Sequence, residues 1–445
     1  MSLQTPITVE KLRTALHEKA KAEPEYRFYS LWDKVWRTDV LTHAYARCRA
    51  NGGAAGVDGE TFRDIEDQGR DRWIGNLQEE LRNKRYVPRS LLRVWIPKSN
   101  GGERPLGIPT IRDRVAQMAM VLVIGPIFEV DLLPQQYGFR PGLDAKAAVR
   151  RVYFHLAQQR RTEVVDGDLK DYFNTIPHGP LMKCVARRIS DGHILSVIRA
   201  WLTAPVEERQ GRRIQHRADA RRTHRGTPQG GVISPMLSNL YFRRFVLAWY
   251  NFGFADKLNA HLVNYADDLV ICCRPGGGAE ALARMRELMG RLGLTVNEEK
   301  TRIIALPGEE MTFLGYTFGT RYTRTGRPYL GTKPSKKAMQ RVIRRIHEET
   351  AKNWLNSTPE KRVKEINPIV RGWCGYFNQG PVYREYRIIR AYLERRLRRW
   401  LMKKHKRRGT GYRQYSDEFL YEKLGLYKPW VRRHDQSSAK SRGPG

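Results

Sequence analysis

Carboxylates are the scarce side chains of this sequence. It holds 46 Asp and Glu against 81 Lys and Arg, which leaves a formal charge of +35 over 445 residues and a pI near 10.3. An imbalance of that size excludes a surface indifferent to charge and implies a polyanionic partner, DNA or RNA first of all. Cysteine is scarce as well. The five present (Cys48, Cys184, Cys272, Cys273 and Cys374) form no CxxC pair. That argues against a zinc module and a disulfide framework, and for a reducing, intracellular compartment. No stretch approaches the roughly 20 apolar residues of a spanning helix. The N-terminus, Met1-Ser2-Leu3-Gln4-Thr5-Pro6, lacks the basic region and apolar core of a signal peptide. A membrane is therefore not expected as a partner. There is no internal repeat, and the length suits about two to four structural units.

Among so few acids, the placement of three matters. Tyr265-Ala266-Asp267-Asp268 lies between the apolar runs His261-Leu262-Val263-Asn264 and Leu269-Val270-Ile271-Cys272-Cys273. That spacing predicts a β-hairpin with two adjacent carboxylates at its tip. Such a pair is costly beside buried strands unless a cation neutralises it, and hard oxygen ligands suit Mg²⁺. A solvated Asp-Asp turn is the plain alternative. A second run, Thr162-Glu163-Val164-Val165-Asp166-Gly167-Asp168-Leu169, reads as a short buried strand ending in Asp168. Two-metal phosphoryl transfer needs carboxylates from separate strands, to bracket ions about 3.5–4 Å apart. Asp168 and Asp267 meet that need if their strands are neighbours in one sheet. Asp166 shares a face with Asp168 by strand alternation, and Asp171 is close by, so spacing leaves the choice among them open.

The other elements are read from periodicity and punctuation. Residues 1–50 are helical in pattern, and the Gly-rich stretch Asn51–Gly59 is a loop without the Gly-Lys-Ser/Thr ending of a phosphate-binding loop. One helix is expected from Ile65 to Lys84. The strands Leu91–Lys98 and Arg104–Pro109 form a second hairpin, with Lys98 and Arg104 flanking its turn. Two cations there could clamp a triphosphate; solvated surface charge is the alternative. Helices are expected over 113–128, 145–158, 237–249 and 279–292, the last ended by Gly293. The Arg-rich residues 207–225 are expected to be exposed. Gly226-Thr227-Pro228-Gln229-Gly230-Gly231 precedes a helix, where glycine lets backbone approach a ligand closely. Phe313–Phe318 reads as one short strand, and from Gly331 the pattern is mostly helical. Residues 382–408 hold twelve Lys or Arg against two Glu yet keep the apolar stripe Ile389, Leu393, Leu397 and Trp400. This basic amphipathic helix suits a nucleic-acid backbone. The polar residues Gln436–Gly445 are expected to be disordered.

In this order the pieces resemble a group II intron-encoded reverse transcriptase, or maturase, of the bacterial type without an endonuclease domain. The resemblance runs from about residue 32 to about residue 430. It rests on Ile96-Pro97-Lys98 with Arg104-Pro105-Leu106-Gly107-Ile108-Pro109-Thr110, on Tyr137-Gly138-Phe139-Arg140-Pro141, and on Gly167-Asp168-Leu169 with Phe173. Gly226–Gly231, Tyr265–Asp268, Gly293-Leu294 with Lys300-Thr301, and Phe313-Leu314-Gly315-Tyr316 continue it. Arg371-Gly372-Trp373 with Tyr376-Phe377 resembles the maturase thumb, domain X.

The resemblance implies an α+β right-hand polymerase: fingers, a palm with an antiparallel sheet, and an α-helical thumb. The domains then run 1–60 (helical N-terminal extension), 61–320 (fingers and palm), 321–430 (thumb) and 431–445 (disordered tail). It selects Asp168 as the partner of Asp267 and Asp268. These three, with Leu169, would hold two Mg²⁺, for which Mn²⁺ could substitute. Lys98 and Arg104 would lie over the nucleotide's phosphates, and Phe173 under the sugar, where a bulky ring would exclude a 2′-hydroxyl. Gln229 would line the nucleotide pocket, and Lys300 would sit near the leaving phosphates. The nucleic-acid contacts expected are Arg140, Arg371, Arg395, Arg399 and Lys403. The partners are a template or group II intron RNA, a DNA primer and target, and dNTPs, in the bacterial cytoplasm or nucleoid. Family members often carry Asp where this chain has Asn174, two shells from the metals, so little effect is expected. Nothing after residue 430 resembles the Cys- and His-containing endonuclease domain. A mobile-element protein of this kind would take its primer from a replication fork or another nick. A domesticated reverse transcriptase in repair or defence, and a non-catalytic RNA-binding splicing factor, are the rival readings.

Overall fold

The structure is a computed structural model. It describes residues 3–97, 101–210, 213–217, 219–323 and 325–429, with residues 209–210, 213–217, 219 and 221 described by main chain only. Lys98 and the tail 431–445 lie outside the described residues. The chain divides into two compact units, residues 1–143, 167–269 and 279–301 in the first and 144–166, 270–278 and 302–445 in the second. The strands among the described residues are β1 (Leu91–Pro97), β2 (Glu103–Ile108), β3 (Glu163–Gly167), β4 (Val206–Gln210), β5 (Arg213–Arg217), β6 (His261–Tyr265), β7 (Asp268–Cys273), β8 (Arg302–Ala305), β9 (Met311–Phe313), β10 (Tyr316–Tyr322) and β11 (Pro328–Pro334). They form three sheets, ordered β2-β1-β4-β5, β6-β7-β3-β8 and β11-β10-β9. The architecture is mixed α/β; β1–β2, β4–β5, β3–β8, β9–β10 and β10–β11 pair antiparallel, and β1–β4 pairs parallel.

In the first unit the helix Ile111–Glu129 is the central post. It is apolar nearly all round, so it is buried nearly all round. Its start is fixed by Thr110, whose side chain accepts from the Asp113 N–H. Asp113 is itself buried and accepts from Tyr86 Oη at 2.6 Å, Thr110 Oγ1 at 2.9 Å and the Arg89 N–H at 3.1 Å. Burial pushes its carboxyl above the ordinary range, and these bonds oppose that shift. The N-terminal segment is two longer helices, Ile7–Ala22 and Thr38–Asn51, with a short one at Trp32–Val35. Two buried polar groups hold the break between them. Arg188 donates to the carbonyls of Ala20, Glu23 and Pro24, and the Asp191 carboxylate accepts from the N–H groups of Leu31 and Trp32, each at 2.9 Å.

Three local expectations need correction. The helix expected over Ile65–Lys84 is two, Phe62–Gln68 and Arg70–Arg82. Gly69, at φ +102°, breaks it, and a reciprocal Thr61–Asp64 capping box starts the first piece. The Arg-rich stretch 207–225 is not simply exposed. It contains the β4–β5 hairpin, and Glu208 is buried, accepting from Trp95 Nε1 at 2.7 Å. Main-chain pairing forms that hairpin. Phe313–Phe318 is not one strand. Leu314 (φ +48°) and Gly315 (φ +80°) turn the chain between β9 and β10.

In the second unit the helices Lys336–Glu349, Pro359–Tyr376 and Tyr383–Lys404 pack around Ile346, Ile366, Val370, Ile389, Leu393, Leu397, Trp400 and Leu401. Ser335 and Thr358 cap the first two. The apolar stripe read in the sequence is thus the inward face of the last helix. Arg395, Arg399 and Lys403, spaced by four, are exposed on it.

Candidate active site

The hairpin forms as its spacing predicts. β6 ends at Tyr265, Ala266 and Asp267 make the turn, and β7 begins at Asp268. Ala266 takes φ +57°, which an L residue rarely adopts without support. The support is Asn264, a fully buried side chain whose Nδ2 donates to the carbonyls of Ala266 at 2.8 Å and Asp268 at 3.2 Å. A second brace comes from the main chain of residues 135–138. The Asn264 N–H donates to Gln135 O at 2.9 Å, and the Tyr137 N–H donates to Asn264 O at 2.8 Å. Gly138 then presses on the turn so closely that a Cβ built there would lie 2.4 Å from the Ala266 nitrogen. Glycine is required by that approach. Asn239 fixes the Gly138 carbonyl from behind at 2.6 Å.

β3 and β7 are neighbours in their sheet. At the end of β3, a Cβ on Gly167 would lie 3.6 Å from the Leu269 side chain at the start of β7. The chain therefore carries Asp168 and Asp267–Asp268 out of the same end of two adjacent strands. Asp168 is half-buried, Asp267 half-buried and Asp268 exposed. The Asp168 main chain pairs with the segment after Gly293: the Asn297 N–H donates to Asp168 O at 2.8 Å and the Lys170 N–H to Thr295 O at 2.9 Å. Leu169, bridged to Val296 between those bonds, is a non-hydrogen-bonded pair, so its carbonyl points away from the ladder. Asp166 lies within β3 opposite Arg302, 3.7 Å away, and Asp171 is exposed beyond the strand.

Three of the expected nucleotide-binding residues, Arg104, Phe173 and Gln229, sit on segments joined by one loop of this unit. The Thr227 N–H donates to Phe173 O at 2.7 Å, and the Gly107 N–H of β2 donates to Gln229 O at 2.7 Å. A Cβ on Gly230, at φ +110°, would meet the Gly107 carbonyl at 2.4 Å. The glycine loop thus ties the helical turn bearing Phe173 to the hairpin bearing Arg104. Phe173 and Gln229 are half-buried, and Arg104 is exposed opposite Ile96. Beside Phe173, Tyr172 is buried and donates to Ser238 O at 2.6 Å. Burial pushes its phenol well above the ordinary range, and the nearby Asp267 carboxylate adds to that. Lys300 Nζ lies 3.5 Å from Asp168 Oδ2.

Arg140 already has partners within the protein: it pairs with Glu129 at 2.7 Å and donates to the carbonyls of Leu133 and Gln136 at 2.8 and 2.9 Å. Its side chain is 11% exposed. It fixes the loop that carries Gly138. Arg371 stacks over Tyr427. Asn264 and Asn297 carry no sequence signal of their own beyond standing within three residues of a motif residue.

Among the described residues, no three His, Cys, Asp or Glu side chains converge as a ready metal cage. The donor set still fits Mg²⁺. It is all oxygen, and this ion is ordinarily held by one or two carboxylates plus substrate phosphates and water. A cation, Lys300, already stands at Asp168.

Comparison with known proteins bears directly on this geometry. Residues 96–318 match the family model described as reverse transcriptase (RNA-dependent DNA polymerase), and residues 339–416 match the group II intron, maturase-specific domain. The chain belongs to the group II intron reverse transcriptase–maturase family. It is 31% identical over 388 residues to Protein YkfC of Escherichia coli (strain K12), covering 78% of this chain and 95% of that protein. It is 30% identical over 226 residues to the group II intron-encoded protein LtrA of Lactococcus lactis subsp. cremoris, covering 49% of this chain and 35% of LtrA. A third relative, the putative COX1/OXI3 intron 1 protein of Saccharomyces cerevisiae, is 26% identical over 329 residues, 62% of this chain and 38% of that protein. All of the residues just described from Ile96 to Lys300 fall within the reverse transcriptase match. Membership in this reverse transcriptase–maturase family implies RNA and DNA as partners. No described helix is long and apolar enough to cross a membrane.

Proposed function

We propose that the chain is an RNA-directed DNA polymerase that extends a primer 3′-hydroxyl with dNTPs on an RNA template, and that it also binds its intron RNA to assist splicing and retrohoming. One observation supports this above the rest: Asp168 and the Asp267–Asp268 tip leave the same end of two neighbouring strands, on a turn braced from two sides. A splicing factor needs only a surface for RNA and has no use for a strained turn held in place to present carboxylates.

In this reading the β6-β7-β3-β8 sheet is the palm, the β1–β2 hairpin belongs to the fingers, and residues 321–430 are the thumb after an N-terminal extension of residues 1–60. Asp168, Asp267, Asp268 and the Leu169 carbonyl would hold two Mg²⁺, whose chemistry there would be to activate the 3′-hydroxyl and offset charge on the leaving pyrophosphate. Lys98 and Arg104 orient the triphosphate. Phe173 closes the space a 2′-hydroxyl would need, and Gln229 lines the pocket beside it. Lys300 stabilises charge developing on the departing phosphates. Arg371, Arg395, Arg399 and Lys403 track nucleic-acid phosphates by charge.

Primer extension tests the reading. The native chain, given an RNA template, a DNA primer, dNTPs and Mg²⁺, is expected to lengthen the primer. No extension, with tight RNA binding retained, would overturn it in favour of the splicing factor.

A further inference from the structure

Asn297 lies after Gly293, in the segment that pairs with the end of β3. Its Nδ2 is 2.7 Å from Asp168 Oδ2. A carboxylate only accepts, so the amide end facing it is the N–H₂. The Asp168 main chain is tied as well, with the Asn297 N–H on Asp168 O at 2.8 Å and the Thr301 side-chain oxygen Oγ1 accepting from the Asp168 N–H at 3.2 Å. The backbone position of Asp168 and the rotation of its carboxyl group are thus set by a single short segment, residues 295–301. Lys300, from that segment, stands 3.5 Å from the same oxygen, Oδ2. Both protein partners of the carboxylate share one oxygen, and no described residue bonds Oδ1.

The geometry points to Asn297 as the positioning residue that commits Oδ2 of Asp168 to the protein and presents Oδ1 to a divalent cation, with Lys300 as the cation that shares Oδ2 until metal and nucleotide arrive. The inference rests on the proposed polymerase function and adds two roles to it. The Asn297 contact is permanent: it is short, part-buried and backed by two further bonds to the Asp168 main chain. The Lys300 contact is exchangeable. At 3.5 Å with a side chain 59% exposed, it is a loose ion pair of the kind that contributes little. A metal at Oδ1 and the ammonium at Oδ2 repel each other, so Lys300 is released toward the incoming phosphates as the metal binds. The two residues therefore act on metal affinity with opposite sign. Loss of Asn297 frees the carboxylate to rotate and weakens the metal, as loss of a residue that orients a ligand ordinarily does. Loss of the Lys300 charge removes a competitor and strengthens it.

The test reads metal binding rather than turnover. The full chain is assembled with an RNA template, a dideoxy-terminated DNA primer and the matching dNTP, and bound Mn²⁺ is followed by electron paramagnetic resonance. Asn297→Ala is expected to weaken Mn²⁺ binding by about tenfold or more, and Lys300→Met to strengthen it. Both variants should bind the RNA–DNA duplex as the native chain does. Unchanged Mn²⁺ affinity in Asn297→Ala would overturn the positioning role. Unchanged or weaker affinity in Lys300→Met would overturn the shared-oxygen role, and this exposed substitution leaves the fold intact. If instead the native complex binds no Mn²⁺ and extends no primer, the polymerase reading itself fails, which is a separate outcome.

Discussion

Asp267→Asn is expected to abolish primer extension, by on the order of a thousandfold or more, while leaving affinity for an RNA–DNA duplex within a few-fold. The substitution is nearly isosteric, so the turn should survive it. The turn is held by Asn264 Nδ2 on the Ala266 and Asp268 carbonyls, not by the Asp267 side chain. What is lost is one full negative charge at the tip of the hairpin, where a Mg²⁺ with few protein ligands can least spare it. Duplex affinity comes mainly from cations against phosphates, and removing an anion does not diminish that. Steady-state extension beside a filter-binding or fluorescence titration checks both halves. Parallel loss of extension and binding would mean that the acid is structural.

Gly138→Ala should have the next largest effect, with no charge changed at all. The added Cβ would lie 2.4 Å from the Ala266 nitrogen and 3.0 Å from the Tyr265 carbonyl carbon, both main-chain atoms that cannot rotate away. Overpacking of this kind costs about 1–3 kcal/mol. Its functional cost is larger, because relief requires the turn to move and a shift of about 1 Å at a reacting group can lower the rate by roughly a hundredfold. Extension is therefore expected to fall about a hundredfold, with a modest drop in the unfolding midpoint. Gly75→Ala is the control: this glycine lies within the helix Arg70–Arg82, has no neighbour within 4 Å of a built Cβ, and should be neutral or slightly stabilising. An unchanged rate in Gly138→Ala would show that the turn does not need the brace.

Much of the site could be read from the sequence because its signals are local. Apolar residues on either side of Ala266-Asp267 are enough to specify a hairpin, and a β-rich run ending in Asp168 is enough to specify the second strand. What could not be read depends on contacts across the chain. Asn264 looks like one more strand residue until its carbonyl partners are seen. Gly138 reads as a loop glycine until the turn is found against it. Asn297 reads as the end of an apolar run, and only the fold brings it 2.7 Å from Asp168. Arg140 shows the same dependence: a cation in a basic protein suggests a phosphate, and only the fold shows that Glu129 and two loop carbonyls hold it. Gly69 shows the local version of the problem. A single glycine inside a helical pattern is usually tolerated, and nothing in the neighbouring residues announced a φ of +102°.

In the proposed function, Asp168 and the Asp267 turn hold one divalent ion between them, and iron-directed cleavage tests this. Fe²⁺ substituted for Mg²⁺ in the complex with template and primer, then treated with peroxide, generates hydroxyl radicals that cut the protein chain beside the bound ion. The account predicts cuts next to residue 168 and next to residues 266–268 in the same molecule, both suppressed by excess Mg²⁺. Cuts at only one of the two places, or cuts that Mg²⁺ does not suppress, would contradict it.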